Sequence, residues 1–164
     1  MPQGPGDEFA AEHERSLGKT EMWYVLRADP GARLALGFRE SISRDRLRQA
    51  ALSGEIENLL RWIDVKAGDA FFIPAGTVHA IGAGLALCEV QQHSDITYRL
   101  YDYGRPRELH LDLGLAATDL ENWSHPGACA ECDLPDGWKR LAAFTTTTTH
   151  LVTSARAVER ISSR

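Results

Sequence analysis

The chain of 164 residues has few cysteines, no excess of basic residues and no long apolar run. Three cysteines are too few, and odd in number, for a disulfide framework, and they fit a reducing cytoplasm. The net charge of −5 argues against a nucleic-acid surface, which needs a basic patch. No apolar run approaches the roughly 20 residues of a membrane span. The start, M-P-Q-G-P-G-D-E, lacks the basic and apolar regions of a secretory signal. We therefore expect a cytoplasmic protein that binds neither nucleic acid nor membrane.

What the chain does have is an ordinary globular composition and one motif rich in turns. Apolar residues make up 43% of the chain and charged residues 25%, which suffices for one domain with a real core. The motif is G-D-A-F-F-I-P-A-G-T-V-H at 68–79. Its first two residues predict a turn, Ala70–Ile73 predicts a buried strand, and Pro74 with Gly76 predicts a second tight turn. His79 then begins the next strand, where its imidazole can point into a cavity.

Short strands separated by glycine turns dominate the first 123 residues. Ser43–Ala51, with Ser43 as N-cap and Gly54 as stop, predicts a helix, and Glu55–Leu60 predicts a second short one. Alternating leucines from Leu109 to Leu115 predict a strand, although Ala116 and Ala117 leave a helical ending open. The first seven residues are expected to be irregular. The fold predicted is therefore all-β in the main, a jelly-roll barrel with a helical insertion around residues 43–60. The other predicted strands are Met22–Leu26, Arg33–Phe38, Trp62–Val65, Ala70–Ile73, Val78–Ile81, Leu85–Val90 and Thr97–Tyr101.

Several segments in a fixed order resemble type I mannose-6-phosphate isomerase in its short bacterial form, a family of the cupin superfamily. They are G-K-T-E-M-W-Y-V-L at 18–26, the motif at 68–79 followed by A-I-G-A-G, E-V-Q-Q-H-S-D-I-T-Y-R-L-Y-D-Y-G-R at 89–105 and P-R-E-L-H-L at 106–111. The pattern G-x5-P-x-G-x2-H is the second cupin motif. The resemblance implies an enzyme that interconverts mannose 6-phosphate and fructose 6-phosphate through an enediol. Its partner would be a small sugar phosphate and its cofactor one zinc ion per chain.

The resemblance implies a zinc site formed by a Gln, two His and a Glu. Glu21 matches the glutamate ligand and His79 matches the second histidine. The Gln and the first His belong to a Q-x-H-P-x-D segment, but here Pro2 and Gly4 stand at those places. Two protein ligands are one fewer than the usual three of a catalytic zinc. Either the sequence lacks material at its start, which we prefer, or the protein binds metal weakly or not at all. His13 is expected to be an exposed surface residue rather than a replacement ligand.

The resemblance also carries over catalytic residues. Lys19 lies two residues before Glu21 and would face the same cavity if both lie on one strand. Arg99 matches an active-site arginine that would stabilise the enediolate, unless it pairs with Asp102 as a structural bridge. The remaining candidates are Glu89 and Asp95, which compete for the role of general base, and Arg105, which would bind the substrate phosphate.

Two domains are predicted, a cupin-like catalytic part at 1–123, incomplete at its start, and a tail at 124–164. The tail has no confident periodicity, since the run Thr145–Thr149 specifies no register and the basic end Arg156–Arg164 is typical of a frayed terminus. We interpret it as the remnant of a second small β-domain or as poorly ordered chain. Cys129 and Cys132 form a lone C-x-x-C near His125, which lacks a fourth ligand for a structural zinc.

The functional hypothesis is a zinc-dependent aldose–ketose isomerase. Because Pro2 and Gly4 replace two metal ligands, two alternatives stay open. One is a catalytically inactive cupin that binds a sugar phosphate as a regulatory module. The other is a truncated fragment with no function of its own.

Overall fold

The structure, a computed structural model, describes residues 1–123 and the backbone of residues 154–160. The C-x-x-C with His125 and the threonine run therefore lie outside the described residues. The elements in chain order are β1 (Pro2–Gln3), α1 (Asp7–Glu14), β2 (Glu21–Ala28), β3 (Arg33–Phe38), α2 (Arg44–Ser53), α3 (Ile56–Leu59), β4 (Leu60–Asp64), β5 (Ala70–Ile73), β6 (His79–Ile81), β7 (Leu85–Gln91), β8 (Tyr98–Arg99), α4 (Leu111–Ala117) and β9 (Ser154–Arg160).

Two antiparallel sheets share one hydrophobic cluster. The first has the strand order β5-β2-β7-β9 and the second the order β4-β3-β6. Because side chains alternate along a strand, each strand presents every second residue to this cluster. Its largest members come from strands of both sheets, so the sheets pack against each other: Trp23, Leu34, Leu36, Ile73, Leu85 and Leu87. The mainly β fold predicted from the sequence is confirmed, while its description as a cupin jelly roll stays a prediction.

The helical insertion forms as the capping residues indicate. Ser43 Oγ accepts a hydrogen bond from the Arg46 backbone N–H at 3.2 Å, and Gly54 ends the helix with φ of 85°. Leu47 and Ala50 are buried in a second cluster that joins α2 and α3 to the β3–β4 side of the protein. None of the helices in residues 1–123 is long and apolar enough to cross a membrane.

The strand predicted from Leu109 to Leu115 is wrong, because the structure forms helix α4 there. Leu111 and Leu115 are four residues apart, so the same leucines also satisfy a helical period. Gly114 lies close to β8, since a Cβ added there would lie 3.4 Å from Tyr98 Cβ. A Cβ added at Gly114 would lie 2.7 Å from Leu100 Cδ2. Leu113, by contrast, points outward and is 38% exposed.

The first seven residues are irregular only in part, since Pro2–Gln3 forms β1 and Asp7 begins α1. Pro2 pairs with Arg99 and Gln3 with Tyr98 in a short two-stranded sheet. The buried Gln3 amide donates a hydrogen bond to the Gly114 carbonyl at 2.6 Å, which ties β1 to α4. Helix α1 follows and was not predicted. His13 lies on its exposed face, as expected.

The basic end of the chain is not frayed over residues 154–160, which form β9. This strand pairs with β7 in register from Leu85↔Arg160 to Gln91↔Ser154. It was missed because its partner lies far away in the sequence and the local pattern is irregular. The boundary at residue 123 stays a prediction, although β9 joins the sheet of the first part.

Candidate functional site

A cavity of about 320 Å³ opens where β1, β2, β6, β7, β8 and the chain after β8 meet. Every catalytic, phosphate-binding and metal-binding residue predicted from the sequence lines this cavity. These residues are Lys19, Glu21, His79, Glu89, Asp95, Arg99 and Arg105. The structure thus brings together side chains that are up to 86 positions apart in the chain, from 19 to 105. Their roles remain predictions.

Glu21 lies at the floor of the cavity, where β2 begins. Its side chain is 1% exposed and both carboxylate oxygens are engaged. Oε1 is paired with the Lys19 ammonium, and Oε2 accepts a hydrogen bond from Trp23 Nε1 at 3.1 Å. Positions 19, 21 and 23 share one side of the extended chain, so Lys19 and Glu21 face the same cavity, as the spacing of two residues predicts, and Trp23 lies beside them. The buried charge of Glu21 is therefore neutralised by its own neighbour.

His79 approaches the same floor from the second sheet, as the first residue of β6. It lies opposite Leu36 in the β3–β6 register and is 5% exposed. Its Nδ1 is 3.0 Å from the Thr77 carbonyl oxygen, so Nδ1 carries the proton and donates, and Nε2 keeps its lone pair. The ring meets the Trp23 ring edge-on with 5.1 Å between centroids. Burial lowers the pKa of His79 below its ordinary value, which keeps the imidazole neutral.

Glu89 stands beside this cluster on β7. It lies opposite Trp23 in the β2–β7 register, and its Oε1 is 3.6 Å from Lys19 Nζ. Burial, and next the nearby charge of Glu21, raise the pKa of Glu89 above its ordinary value. A carboxylate with a raised pKa beside a buried ammonium is a candidate for a general base.

Asp95, the rival candidate for the base, lies in a different environment. It is exposed on the loop between β7 and β8, next to the buried Ser94. Ser94 is fixed because its carbonyl accepts a hydrogen bond from Gln91 Nε2 at 2.9 Å. Of the two carboxylates, Glu89 is the one that is largely buried and lies beside Lys19.

Three arginines form the rim of the cavity around one buried carboxylate. Asp102 is 5% exposed and accepts hydrogen bonds from Arg107 Nε and, at 2.6 Å, from Arg107 Nη2. Arg105 Nη2 lies 3.4 Å from Asp102 Oδ1. Arg99 donates instead to the Glu108 carbonyl at 3.2 Å, so its expected alternative pairing with Asp102 is wrong. The hydrogen bonds from Arg107 hold the pKa of Asp102 below its ordinary value.

Sequence reasoning missed Asp102 and Arg107 as parts of this rim. The signal was present in D-Y-G-R-P-R at 102–107, where one acid precedes two arginines across a turn. Tyr103 and Gly104 have positive φ angles of 54° and 71°, which fold the two arginines back over the carboxylate.

The donors for a metal ion are incomplete in the described chain. Glu21 and His79 do face one cavity, as the resemblance requires. Pro2 lines the cavity without a donor atom, and Gly4 packs directly on Lys19. Gln3, between them, turns its amide toward α4. Among the residues that the structure describes, no three His, Cys, Asp or Glu side chains come together in an arrangement that could hold a metal. These residues therefore do not by themselves fit a catalytic zinc.

The fold and the cavity together define the class of protein. It has two packed β-sheets and a cavity that is lined by Lys19, Glu21 and Glu89 and bordered by arginines. The chain is 49% identical over 117 residues to the mannose-6-phosphate isomerase of Streptococcus mutans, covering 68% of this chain and 37% of that protein. It is 46% identical over 123 residues to the mannose-6-phosphate isomerase of Bacillus subtilis, covering 71% and 39%. The chain is a homologue of the mannose-6-phosphate isomerases, and the short type I form fits these matches. It spans about two fifths of the length of the curated relatives it matches.

Solved structures agree with this relationship. The crystal structure of the mannose 6-phosphate isomerase from Bacillus subtilis superposes with a TM-score of 0.71 at 38% identity, over 76% of this chain and 42% of that chain. A structure from Archaeoglobus fulgidus superposes with a TM-score of 0.62 at 21% identity and supports the fold alone. No known family profile matches the chain.

Proposed function

We propose that this chain carries the substrate cavity of an aldose–ketose isomerase that interconverts mannose 6-phosphate and fructose 6-phosphate. The observation that carries the proposal is the convergence of seven predicted residues on one cavity. The homology to proteins named mannose-6-phosphate isomerase supports the substrate class. A volume of about 320 Å³ lies within the range of small-molecule sites and suits one hexose phosphate.

The proton transfer between C2 and C1 falls to Glu89 in this proposal. Burial, and next the charge of Glu21, raise its pKa above the ordinary value, and a raised pKa makes a carboxylate a better base. Lys19 lies within 3.6 Å and can stabilise the carboxylate before transfer and release it afterwards. Arg99 supplies a fixed positive charge for the enediolate oxygen, because its guanidinium is always protonated. The neutral His79 adds a lone pair at Nε2 without adding charge.

The phosphate of the substrate would bind at the arginine rim. Arg105 is half exposed; its Nε donates to the Asp102 carbonyl at 3.3 Å and its Nη2 lies 3.4 Å from Asp102 Oδ1, so the exposed edge of its guanidinium can still face an anion. Arg107 is held more firmly, by two hydrogen bonds to the same carboxylate. In this proposal Arg105 binds the phosphate, and the paired Arg107 and Asp102 fix the wall behind it.

The resemblance also implies zinc dependence, and the described residues supply two of the ligands it requires. Glu21 and His79 would be its two ligands from the described residues, and a bound ion would polarise the substrate oxygens. A cation at Glu21 must compete with the Lys19 ammonium that already neutralises it. The proposed proton transfer is therefore assigned to Glu89 and Lys19, and no step is assigned to a metal ion.

The incomplete ligand set favours a second candidate, a sugar-phosphate binding module without turnover. Such a module needs the rim and the cavity but no metal. The positions Pro2 and Gly4, which offer no donor atom, are the specific observation behind it.

One experiment separates the two candidates. Binding of mannose 6-phosphate is measured by calorimetry, and turnover by a coupled isomerase assay with and without added zinc. The isomerase proposal predicts binding and turnover, with turnover lost in Glu89→Gln and binding weakened in Arg105→Gln. Binding without turnover in the folded chain at any zinc concentration would leave only the module. Absence of binding would contradict both.

A further inference from the structure

A second depression lies on the β3–β4 side of the protein, away from the catalytic cavity. It has a volume of about 560 Å³ and shares none of its lining residues with that cavity. Its wall is formed by three arginines, one tryptophan and a buried leucine: Arg33, Arg39, Arg61, Trp62 and Leu60. Neither the proposed isomerisation nor the relatives' names account for this group.

Trp62 gives the depression a rigid floor. Its indole Nε1 donates a hydrogen bond to the Glu57 carbonyl at 3.0 Å, and its ring packs against the hydrophobic cluster beneath α2 and α3. The Arg33 guanidinium lies over this ring, 5.5 Å from its centroid. Stacking on an aromatic face fixes the plane of a guanidinium while leaving the N–H groups at its edge free to bind.

Among residues 1–123, none of the three arginines forms an ion pair with an acidic side chain. The closest candidate by register is Asp64, opposite Arg33 in the β3–β4 pair, yet the two form no ion pair. The chain as a whole has a net charge of −5, so carboxylates are not scarce. Across residues 1–123 the ion pairs belong to other basic side chains: Lys19, Arg27, Arg46, Arg48, Arg105 and Arg107.

We propose that this depression binds a small molecule that carries two or more phosphoryl groups. The paired N–H groups of a guanidinium match phosphate oxygens in geometry as well as in charge. Three arginines around one depression offer more N–H donors than a single phosphate can accept. The volume of about 560 Å³ lies within the range of small-molecule sites. This site is independent of the proposed isomerase function.

The test uses tripolyphosphate as the probe, with sulfate at equal ionic strength as the comparison for non-specific screening. Binding is followed in the whole chain by calorimetry and by the NMR signal of the Trp62 indole N–H, assigned with Trp62→Phe. Arg39→Gln and Arg61→Gln are each expected to weaken binding on the order of ten-fold, because each removes charge-assisted hydrogen bonds. The matched control is Arg46→Gln, an exposed arginine of α2 paired with Glu55 at 2.9 Å, and it should bind like the unmodified chain.

A further variant, Arg105→Gln, separates this site from the arginine rim of the catalytic cavity. The proposal predicts that Arg105→Gln still shifts the Trp62 signal when tripolyphosphate is added. Three results would overturn it: no saturable binding, binding that is unchanged in Arg39→Gln and Arg61→Gln, or tighter binding of an oligoglutamate peptide than of tripolyphosphate. The last result would indicate an acidic protein partner instead.

Discussion

Replacing Gly4 by alanine tests how tightly β1 packs on the floor of the cavity. A Cβ at this position would lie 2.3 Å from Lys19 Cβ and 2.9 Å from the Lys19 backbone oxygen. Carbon atoms in contact are normally about 3.5–4.0 Å apart, so either β1 or the chain at Lys19 must move. Overpacking of this kind costs about 1–3 kcal/mol. For a chain of this size, each kcal/mol lost from the free energy of unfolding lowers Tm by roughly 2–4 °C.

Gly6→Ala is the matched control for this prediction. Gly6 has a φ of −69°, and a Cβ there would meet nothing within 4 Å. Its substitution should change the free energy of unfolding by less than about 1 kcal/mol in either direction. Both free energies follow from urea denaturation monitored by circular dichroism. Equal stabilities of Gly4→Ala and Gly6→Ala would refute the packing of Gly4 on Lys19, and would mean that a side chain at residue 4 has room beside the cavity.

Three further predictions concern the cavity and its surroundings. Glu89→Gln should lower turnover by about 10²–10⁴-fold in the coupled assay while leaving the unfolding midpoint near that of the unmodified chain. Asp102→Asn should raise KM for mannose 6-phosphate more than it lowers kcat, because Arg107 loses its anchor, whereas Asp112→Asn, at an exposed ion pair, should change neither. Burial, and next a hydrogen bond to Glu14, raise the pKa of Tyr98 to about 12, so one tyrosine should ionise late in an ultraviolet titration. Because this pKa is raised in the folded state, its contribution to stability is complete below about pH 10 and is lost as the pH rises toward 12. A Tyr98→Phe variant that keeps the late-ionising tyrosine would contradict the assignment.

Local signals account for the parts of the fold that the sequence predicted. Gly68 and Gly76 have φ angles of 94° and 84°, which only glycine adopts without strain, so the turns on either side of β5 could be read directly. The capped helix α2 was predicted for the same reason, since Ser43 and Gly54 act on their immediate neighbours.

The parts that were missed depend on distant contacts. Helix α4 lies close to β8 at Gly114, and nothing within the leucine pattern reveals that partner. Strand β9 pairs with β7, although residues 91 and 154 are 63 positions apart in the chain. At the site, the spacing of two residues predicted the Lys19–Glu21 pair. The anchoring of Arg107 by Asp102 required the turn at Tyr103 and Gly104, which was not predicted.

The central claim is that the cavity performs Glu89-dependent proton transfer on a hexose phosphate. The most direct measurement is the incorporation of deuterium into mannose 6-phosphate incubated with the chain and zinc in D₂O, followed by proton NMR. The account predicts loss of the C2 proton signal with the unmodified chain and none with Glu89→Gln. A folded chain that binds mannose 6-phosphate but leaves the C2 proton in place would contradict it.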